Sequence, residues 1–282
     1  MKKQSAFVTI FILLCLFSIS LPGATLPKDI TDSVLAIDAK TGQILFEKNS
    51  DEVRPLASIT KLISAMVLLD LRVDWNASTK IISIDCDRFS RQLIAGDVLK
   101  LNDLWNIALI GSVNSAMKAL VRKSGVSEKQ FVELMNKKAK DLNLNSMVFV
   151  EPSGLSSKNI GNAKDTAKLL KEALKFEKIL KTLLVDKYYV QPLNKETPKQ
   201  IYNTNWLMTN WIPSDFPKGS IVGKTGYLKN SGYNLSVRLT DDKNHQIIVI
   251  VLGAKSFTSR FSKARELANR IFNNYPRPNT GG

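Results

Sequence analysis

Three segments in the C-terminal third decide the fold class of this 282-residue chain: SIVGKTGYL (Ser220–Leu228), YNLSVRLT (Tyr233–Thr240) and QIIVIVLG (Gln246–Gly253). Each is rich in β-branched or aromatic residues and is bounded by residues that favour turns. The connections between them, residues 229–232 and 241–245, are short. Because consecutive strands joined by short turns pair antiparallel, these segments predict three neighbouring strands of an antiparallel sheet.

A second strand-like region lies near the N-terminus. Ser33–Ile37 and Gln43–Phe46 are short apolar runs, and Asp38–Gly42 lies between them. A connection that opens with aspartate and closes with glycine predicts a hairpin turn. We expect this hairpin to pair with the C-terminal strands, which gives a five-stranded antiparallel sheet.

The region between these two sets of strands has the apolar periodicity of helices. The predicted helices are Pro55–Leu71 with Pro55 in its first turn, Asn102–Ile110, Ser115–Lys123, one opened by the capping box of Ser127 and Gln130, one capped by Asp165, and a last helix at Ser259–Phe272. Strands, a helical block and then strands again predict an α+β fold rather than a doubly wound parallel sheet. The helical block would cover one side of the sheet, with a cleft where the two meet.

The N-terminus has the pattern of a secretory signal. Met1–Lys3 is positively charged, Ala6–Phe17 is almost entirely apolar, and small residues follow it. We therefore predict a signal peptide at residues 1–24, a catalytic domain at 28–273 and a flexible tail at 274–282. The alternative is an uncleaved N-terminal anchor, and in both cases the protein is exported to the periplasm or cell wall. The tail shows no apolar face that would anchor it to a membrane.

Charge and residue counts limit the chemistry. The net charge of +15 indicates either a solvated basic surface or attraction to anionic wall polymers, and no nucleic-acid pattern is present. Without the signal segment, Cys86 is the only cysteine, so no internal disulfide is expected. The only histidine, His245, lies in a polar turn and is expected to face solvent. Hydrolytic chemistry in this chain must therefore use another base.

The first reactive motif is Ser58-Ile-Thr-Lys61, near the start of the first long helix. Residues three apart share a helix face, so the serine hydroxyl and the lysine amine can meet. An amine of lowered pKa can take the serine proton and make the hydroxyl nucleophilic. An isolated Ser-x-x-Lys pair is common on helices, so this motif is weak evidence on its own.

The second motif is Ser112-Val-Asn114, in the break between two predicted helices. A hydroxyl there can relay a proton to a leaving amine, and the asparagine amide can bind a peptide group. Taken alone, this segment is an ordinary turn between helices.

The third motif is Lys224-Thr225-Gly226, preceded by Gly223 in a predicted strand. Lysine and threonine are good partners for a carboxylate. Glycines inside a strand indicate that another group approaches the backbone closely, although a β-bulge would also account for them.

The three motifs occur together, in the order found in β-lactamases and penicillin-binding proteins. Five segments resemble landmarks of the D-alanyl-D-alanine peptidases, the low-molecular-mass penicillin-binding proteins: Pro55–Leu62, Glu151–Leu155, Asn203–Asn205, Gly223–Tyr227 and Val251–Ala254. The resemblance covers roughly residues 30–273 and implies the fold shared by DD-peptidases and serine β-lactamases. Val113 stands where many members carry glycine.

The resemblance also implies a role for each reactive position. Ser58 would be the nucleophile, Lys61 the general base and Ser112 a proton relay; Asn114, Lys224, Thr225 and Gly226 would bind substrate, and the backbone N–H groups of Ser58 and Tyr227 would form the oxyanion hole. The implied substrate is the D-alanyl stem peptide of peptidoglycan, and β-lactam antibiotics would be covalent inhibitors. No metal or organic cofactor is implied.

Two other functions remain open from the sequence. A serine β-lactamase shares the motifs, but the segment after Glu151 lacks the leucine and asparagine spacing of class A enzymes. A non-catalytic wall-binding homologue is the second alternative, although no reactive position of the motifs is lost. Within the peptidases, the short tail after the last helix favours a DD-endopeptidase over a carboxypeptidase.

Overall fold

A computed structural model describes residues 32–86, 92–217 and 219–274 of the chain. The strands are β1 (Ser33–Asp38), β2 (Ile44–Lys48), β3 (Arg54–Pro55), β4 (Ser78–Lys80), β5 (Val98–Lys100), β6 (Ile160–Gly161), β7 (Lys187–Val190), β8 (Lys199–Tyr202), β9 (Ile221–Leu228), β10 (Gly232–Thr240) and β11 (Gln246–Ala254). The helices are α1 (Lys61–Asp70), α2 (Leu101–Ile110), α3 (Asn114–Arg122), α4 (Glu128–Asp141), α5 (Ala163–Ala173), α6 (Glu177–Leu183) and α7 (Ser259–Asn273). The predicted signal segment at residues 1–24 lies outside the described residues.

The main sheet has five antiparallel strands in the order β2-β1-β11-β10-β9. The N-terminal hairpin therefore joins the C-terminal strands, as its apolar pattern predicts. Side chains alternate between the two faces of each strand. Val222 of β9 packs against the core formed by α1 to α6, whereas its neighbour Ile221 packs against α7. The sheet thus lies between a helical block and a single helix, which confirms the predicted α+β fold.

Strand β9 is an edge of this sheet, and the helical block lies beside it. The 3-10 turn Ala57–Thr60, which leads into α1, is packed directly against β9. The break between α2 and α3 lies at residues 111–113, in the same helical block. All three sequence motifs therefore lie where the edge strand meets the helices.

Two predicted helix starts are wrong in detail. Pro55 does not begin a helix, because it pairs with Ile160 in the short β3–β6 ladder, and the α-helix begins only at Lys61. Asp165 does not cap α5; the cap is Asn162, whose side chain accepts a hydrogen bond from the Asp165 backbone N–H. The capping box of Ser127 and Gln130 is confirmed at the start of α4.

His245 lies in the turn between β10 and β11, as predicted, but it is only partly exposed. Its Nδ1 is 2.8 Å from the Asp241 carboxylate in the same turn. This turn is at the end of β10 remote from Asn234, which is the residue that pairs with Gly226. Across residues 32–86, 92–217 and 219–274, no helix is both long and apolar enough to cross a bilayer.

Candidate active site

Ser58 and Lys61 meet at the turn that leads into α1. The Lys61 Nζ is 3.0 Å from the Ser58 Oγ, and the lysine side chain is fully buried, whereas Ser58 is partly exposed. Nζ also donates to the Asn114 Oδ1 at 2.6 Å and to the Ser153 carbonyl oxygen at 2.5 Å. Those two partners only accept hydrogen bonds. In the neutral amine both N–H hydrogens can be used there, which leaves the nitrogen lone pair for the Ser58 hydroxyl.

Ser112 lies in the break between α2 and α3. Its backbone has a φ of +59°, which is uncommon for a residue with a side chain. Its Oγ accepts a hydrogen bond of 2.7 Å from the Lys224 Nζ. Asn114 is the first residue of α3, two positions further on, and directs its amide oxygen at Lys61. The second motif therefore contacts a lysine of each of the other two motifs.

Strand β9 carries the third motif. Lys224 is fully buried and also donates to the Thr225 carbonyl oxygen. Burial lowers the pKa of Lys224 well below its usual value, and the nearby charges of Lys61 and Arg260 lower it further. Since both Lys61 and Lys224 are buried in one site, a proton on either amine opposes a proton on the other.

Gly226 is the point at which β9 touches the reactive turn. A Cβ at Gly226 would lie 2.8 Å from the Leu56 carbonyl oxygen and 3.1 Å from both the Ala57 Cβ and the Ser58 backbone nitrogen. Any side chain at this position would push the strand away from Ser58. The close backbone approach predicted from the glycines is therefore present, and it sets the width of the site beside Ser58.

The turn after Glu151 borders the site, because the Ser153 carbonyl oxygen in this turn accepts a hydrogen bond from Lys61. The Glu151 carboxylate accepts five hydrogen bonds, from Ser153 N, Ser153 Oγ, Gly154 N, Ser156 N and Asn159 Nδ2. These bonds hold the turn in which the Ser153 carbonyl faces Lys61. Glu151 thus opens a turn, and its carboxylate is occupied within that turn.

Two residues of the site had no assigned role in the sequence interpretation. Arg260 is almost fully buried on α7 and donates to the backbone oxygens of Gly226 and Asn234. Burial lowers its pKa to about 10. Thr204 accepts a hydrogen bond of 2.6 Å from the Thr225 hydroxyl. A sequence feature that could have indicated Arg260 is its position between Phe257 and Phe261, at the start of the last predicted helix. A cation flanked by aromatic residues favours contact with their rings.

Comparison with known proteins decides the family. The family model described as D-alanyl-D-alanine carboxypeptidase matches residues 23–256. The chain belongs to this family. It is 33% identical to a D-alanyl-D-alanine endopeptidase of Haemophilus influenzae, over 84% of this chain and 80% of that protein, and 30% identical to one of Escherichia coli, over 88% and 79%. It is 28% identical to the D-alanyl-D-alanine carboxypeptidase DacF of Bacillus subtilis, over 86% and 62%.

The solved structures agree with this family and its fold. The Streptomyces K15 DD-transpeptidase superposes with a TM-score of 0.76 at 25% identity, over 85% of this chain and 96% of that one. Penicillin-binding protein D2 of Listeria monocytogenes, in its ampicillin-bound form, gives 0.72 at 23% identity and shares the fold. This member of the D-alanyl-D-alanine carboxypeptidase family is therefore a serine-type DD-peptidase that acts on peptidoglycan, and the family resemblance predicted from the motifs is confirmed.

Proposed function

We propose that this DD-peptidase works through an acyl-enzyme on Ser58, with Lys61 as the general base. The supporting observation is the contact of 3.0 Å between Ser58 Oγ and a buried amine that also donates to the Asn114 and Ser153 oxygens. In the first step Lys61 takes the proton of Ser58, and the seryl oxygen attacks the carbonyl carbon of the D-alanyl peptide bond. The resulting oxyanion is held by the backbone N–H groups of Ser58 and Tyr227.

Collapse of the tetrahedral intermediate breaks the peptide C–N bond and leaves the acyl group on Ser58. The leaving amine needs a proton. Ser112 can relay one to it from Lys61 or Lys224, since the Ser112 hydroxyl is hydrogen-bonded to Lys224. Water then attacks the ester carbonyl and a lysine takes its proton; the bond between the acyl carbon and the Ser58 oxygen breaks, the Ser58 oxygen takes that proton, and the acyl product leaves as a carboxylic acid. Proton balance is complete after each cycle, and Ser58 is regenerated.

Substrate recognition falls to the other residues of the site. Asn114 binds the substrate backbone, while Lys224 and Thr225 bind a substrate carboxylate beside Gly226. Arg260 is a buried positive charge that donates a hydrogen bond to the Gly226 carbonyl oxygen. Because it lies this close to β9, its charge favours binding of an anion at this end of the cleft. β-Lactams would enter the same site and acylate the same hydroxyl.

Within the family, we favour cleavage of cross-links, that is, DD-endopeptidase activity. The two relatives named endopeptidases are 33% and 30% identical to this chain, compared with 28% for the relative named carboxypeptidase DacF. We also propose that residues 1–24 direct export to the periplasm or cell wall, that residues 28–273 form the catalytic domain, and that residues 274–282 form a tail.

Labelled penicillin tests the nucleophile. Folded wild-type protein should be labelled covalently, with the modified peptide containing Ser58, and the Ser58→Ala variant should remain unlabelled. Absence of label on Ser58 in folded wild-type protein would refute the mechanism. Digestion of purified sacculi tests the preference: conversion of cross-linked dimers into monomers supports endopeptidase activity, whereas trimming of pentapeptides to tetrapeptides alone contradicts it.

A further inference from the structure

Six aromatic side chains form a continuous row beside the active site, and the mechanism above does not use them. In order along the row they are Tyr202, Trp211, Trp206, Phe257, Tyr233 and Tyr227. Each ring contacts the next, with centroid separations between 4.2 and 6.0 Å. We call this set the aromatic row.

The aromatic row is continuous with the substrate cleft. At one end, Tyr227 follows Gly226 directly on β9 and stacks on Tyr233 of β10. Near its middle, Trp206 is two residues from Thr204, whose hydroxyl is bonded to Thr225. The other end of the row, Tyr202 on β8, is also two residues from Thr204 along the chain. A substrate chain that leaves the cleft past Thr225 would therefore meet these rings.

The rings at the surface are more exposed than large apolar side chains usually are. The exposed fraction is 50% for Trp211, 46% for Tyr202 and 52% for Tyr227. Exposed apolar surface that is contiguous, rather than scattered, marks an interaction site. The other three rings are partly buried and support the exposed ones from below.

The turn that carries Trp211 is held in place by hydrogen bonds to two of its backbone carbonyl oxygens. The Ile212 N–H donates to the Trp206 carbonyl oxygen at 3.0 Å, and Arg265 of α7 donates to the Pro213 carbonyl oxygen at 2.8 Å. Underneath, the Arg260 guanidinium lies against the Phe257 ring at 4.6 Å and the Tyr233 ring at 5.5 Å. The rings are thus presented in a fixed arrangement, so little conformational entropy is lost when a ligand stacks on them.

We propose that the aromatic row binds the glycan chain of peptidoglycan by stacking of its N-acetylhexosamine rings on Trp211 and its neighbours. A pyranose ring has an apolar face of C–H groups and a polar edge of hydroxyls. Tryptophan and tyrosine match both, since each has an apolar ring face and a polar group at its edge. A peptide strand would instead take its main-chain hydrogen bonds from the edge of a sheet, and the ring faces of the row offer none. The inference rests on the proposed function, because it assigns the sugar part of the same substrate.

The test compares three variants. Trp211→Ala removes the most exposed indole of the row, Trp211→Phe keeps an aromatic face, and Ile44→Ala removes an exposed apolar side chain on β2, the opposite edge strand of the sheet. Labelling by penicillin first verifies that each variant is folded. Calorimetric titration with stem-free N-acetylhexosamine oligosaccharides then measures glycan binding. Turnover is compared on cross-linked stem peptides with and without their sugars.

We expect Trp211→Ala to weaken oligosaccharide binding about tenfold and to lower, by a similar factor, the ratio of kcat/KM for the sugar-bearing substrate to that for the sugar-free one. Trp211→Phe should retain most of both, and Ile44→Ala should match wild type. An equal loss on both substrates would show that the row binds peptide and would overturn the inference, as would unchanged oligosaccharide binding in Trp211→Ala. If wild type turned over neither substrate, the proposed function would fail, while the titration would still decide whether the row binds glycan.

Discussion

The Glu151→Gln substitution separates two roles that this carboxylate could have. In the structure its oxygens only hold a turn: Oε2 accepts from the backbone and hydroxyl of Ser153, and Oε1 accepts from Gly154, Ser156 and Asn159. A glutamine amide keeps one oxygen and turns an N–H₂ group toward the other set of donors, so at least one backbone N–H loses its acceptor and the bonds that remain lose the charge of theirs, a loss equivalent to about two bonds to a charged group. At about 1.5 kcal/mol for each bond to a charged group, the loss is about 3 kcal/mol.

The predicted effect is on formation of the acyl-enzyme rather than on its hydrolysis. Without these bonds the turn is free to leave the conformation in which the Ser153 carbonyl binds Lys61. A loss of about 3 kcal/mol limits the fall in the acylation rate to the order of 100-fold. A deacylating base would give the opposite pattern, with normal acylation followed by accumulation of acyl-enzyme.

Stopped-flow measurement with a fluorescent penicillin gives both rate constants. We expect Glu151→Gln to lower the acylation rate constant and to leave the deacylation rate constant within a fewfold of wild type. The matched control is Glu177→Gln, which changes an exposed glutamate that pairs with Lys181 on the surface of α6. Normal acylation together with strongly slowed deacylation in Glu151→Gln would refute the structural role and revive the β-lactamase-like one.

Three further outcomes follow from the contacts in the site. Burial, reinforced by the charge of Lys61, lowers the pKa of Lys224, so the unfolded chain binds more protons at this residue than the folded protein does. Lys224 therefore costs folding stability as the pH falls below 10.5. Lys224→Met should raise the melting temperature at pH 7, by a gain that shrinks toward pH 10, and should abolish acylation. A melting temperature for Lys224→Met at or below that of wild type at pH 7 would contradict this. Gly226→Ala places a Cβ 2.8 Å from the Leu56 carbonyl oxygen and should slow penicillin acylation while circular dichroism stays native; wild-type acylation would show that the strand does not set the site. Ser112→Ala should lower turnover by roughly 10²- to 10⁴-fold with folding retained, and near-normal turnover would exclude the relay.

The strand pattern predicted most of the sheet because the strands obey local rules. β10 and β11 are apolar, bounded by turn residues and joined by a short connection, so their boundaries in the structure differ from the predicted ones by one residue. The start of the first helix was mispredicted because long-range pairing of Pro55 with Ile160 overrides its preference for a first helical turn. Asp165 was taken for a cap although Asn162 lies three residues earlier, and the aspartate is instead used by the backbone and hydroxyl of Ser146.

In the active site, too, contacts between residues close in the chain could be predicted from the sequence, whereas contacts between distant residues could not. Ser58 and Lys61 are three residues apart, so helix geometry alone predicts their contact. The hydrogen bond between Lys224 and Ser112 joins residues 112 positions apart, and only the order of motifs in a known family indicated it. The aromatic row gave no such indication, because its members come from separate elements that the tertiary fold brings together.

The backbone of two reactive segments also departs from local preference, and this departure has a physical cause. Ala57, immediately before the nucleophile, has a φ of +50°, and Ser112 has +59°. Each such residue costs on the order of 1–3 kcal/mol and persists only where its surroundings hold it. Around Ala57 those surroundings are Gly154 and Gly226. A Cβ added at Gly154 would lie 2.2 Å from the Ala57 carbonyl oxygen, and one added at Gly226 would lie 3.1 Å from the Ala57 Cβ. The strained turn that exposes the Ser58 hydroxyl is therefore held from two sides by backbone that only glycine permits. The glycine of the third motif therefore marks the point of close backbone approach, as the sequence predicts.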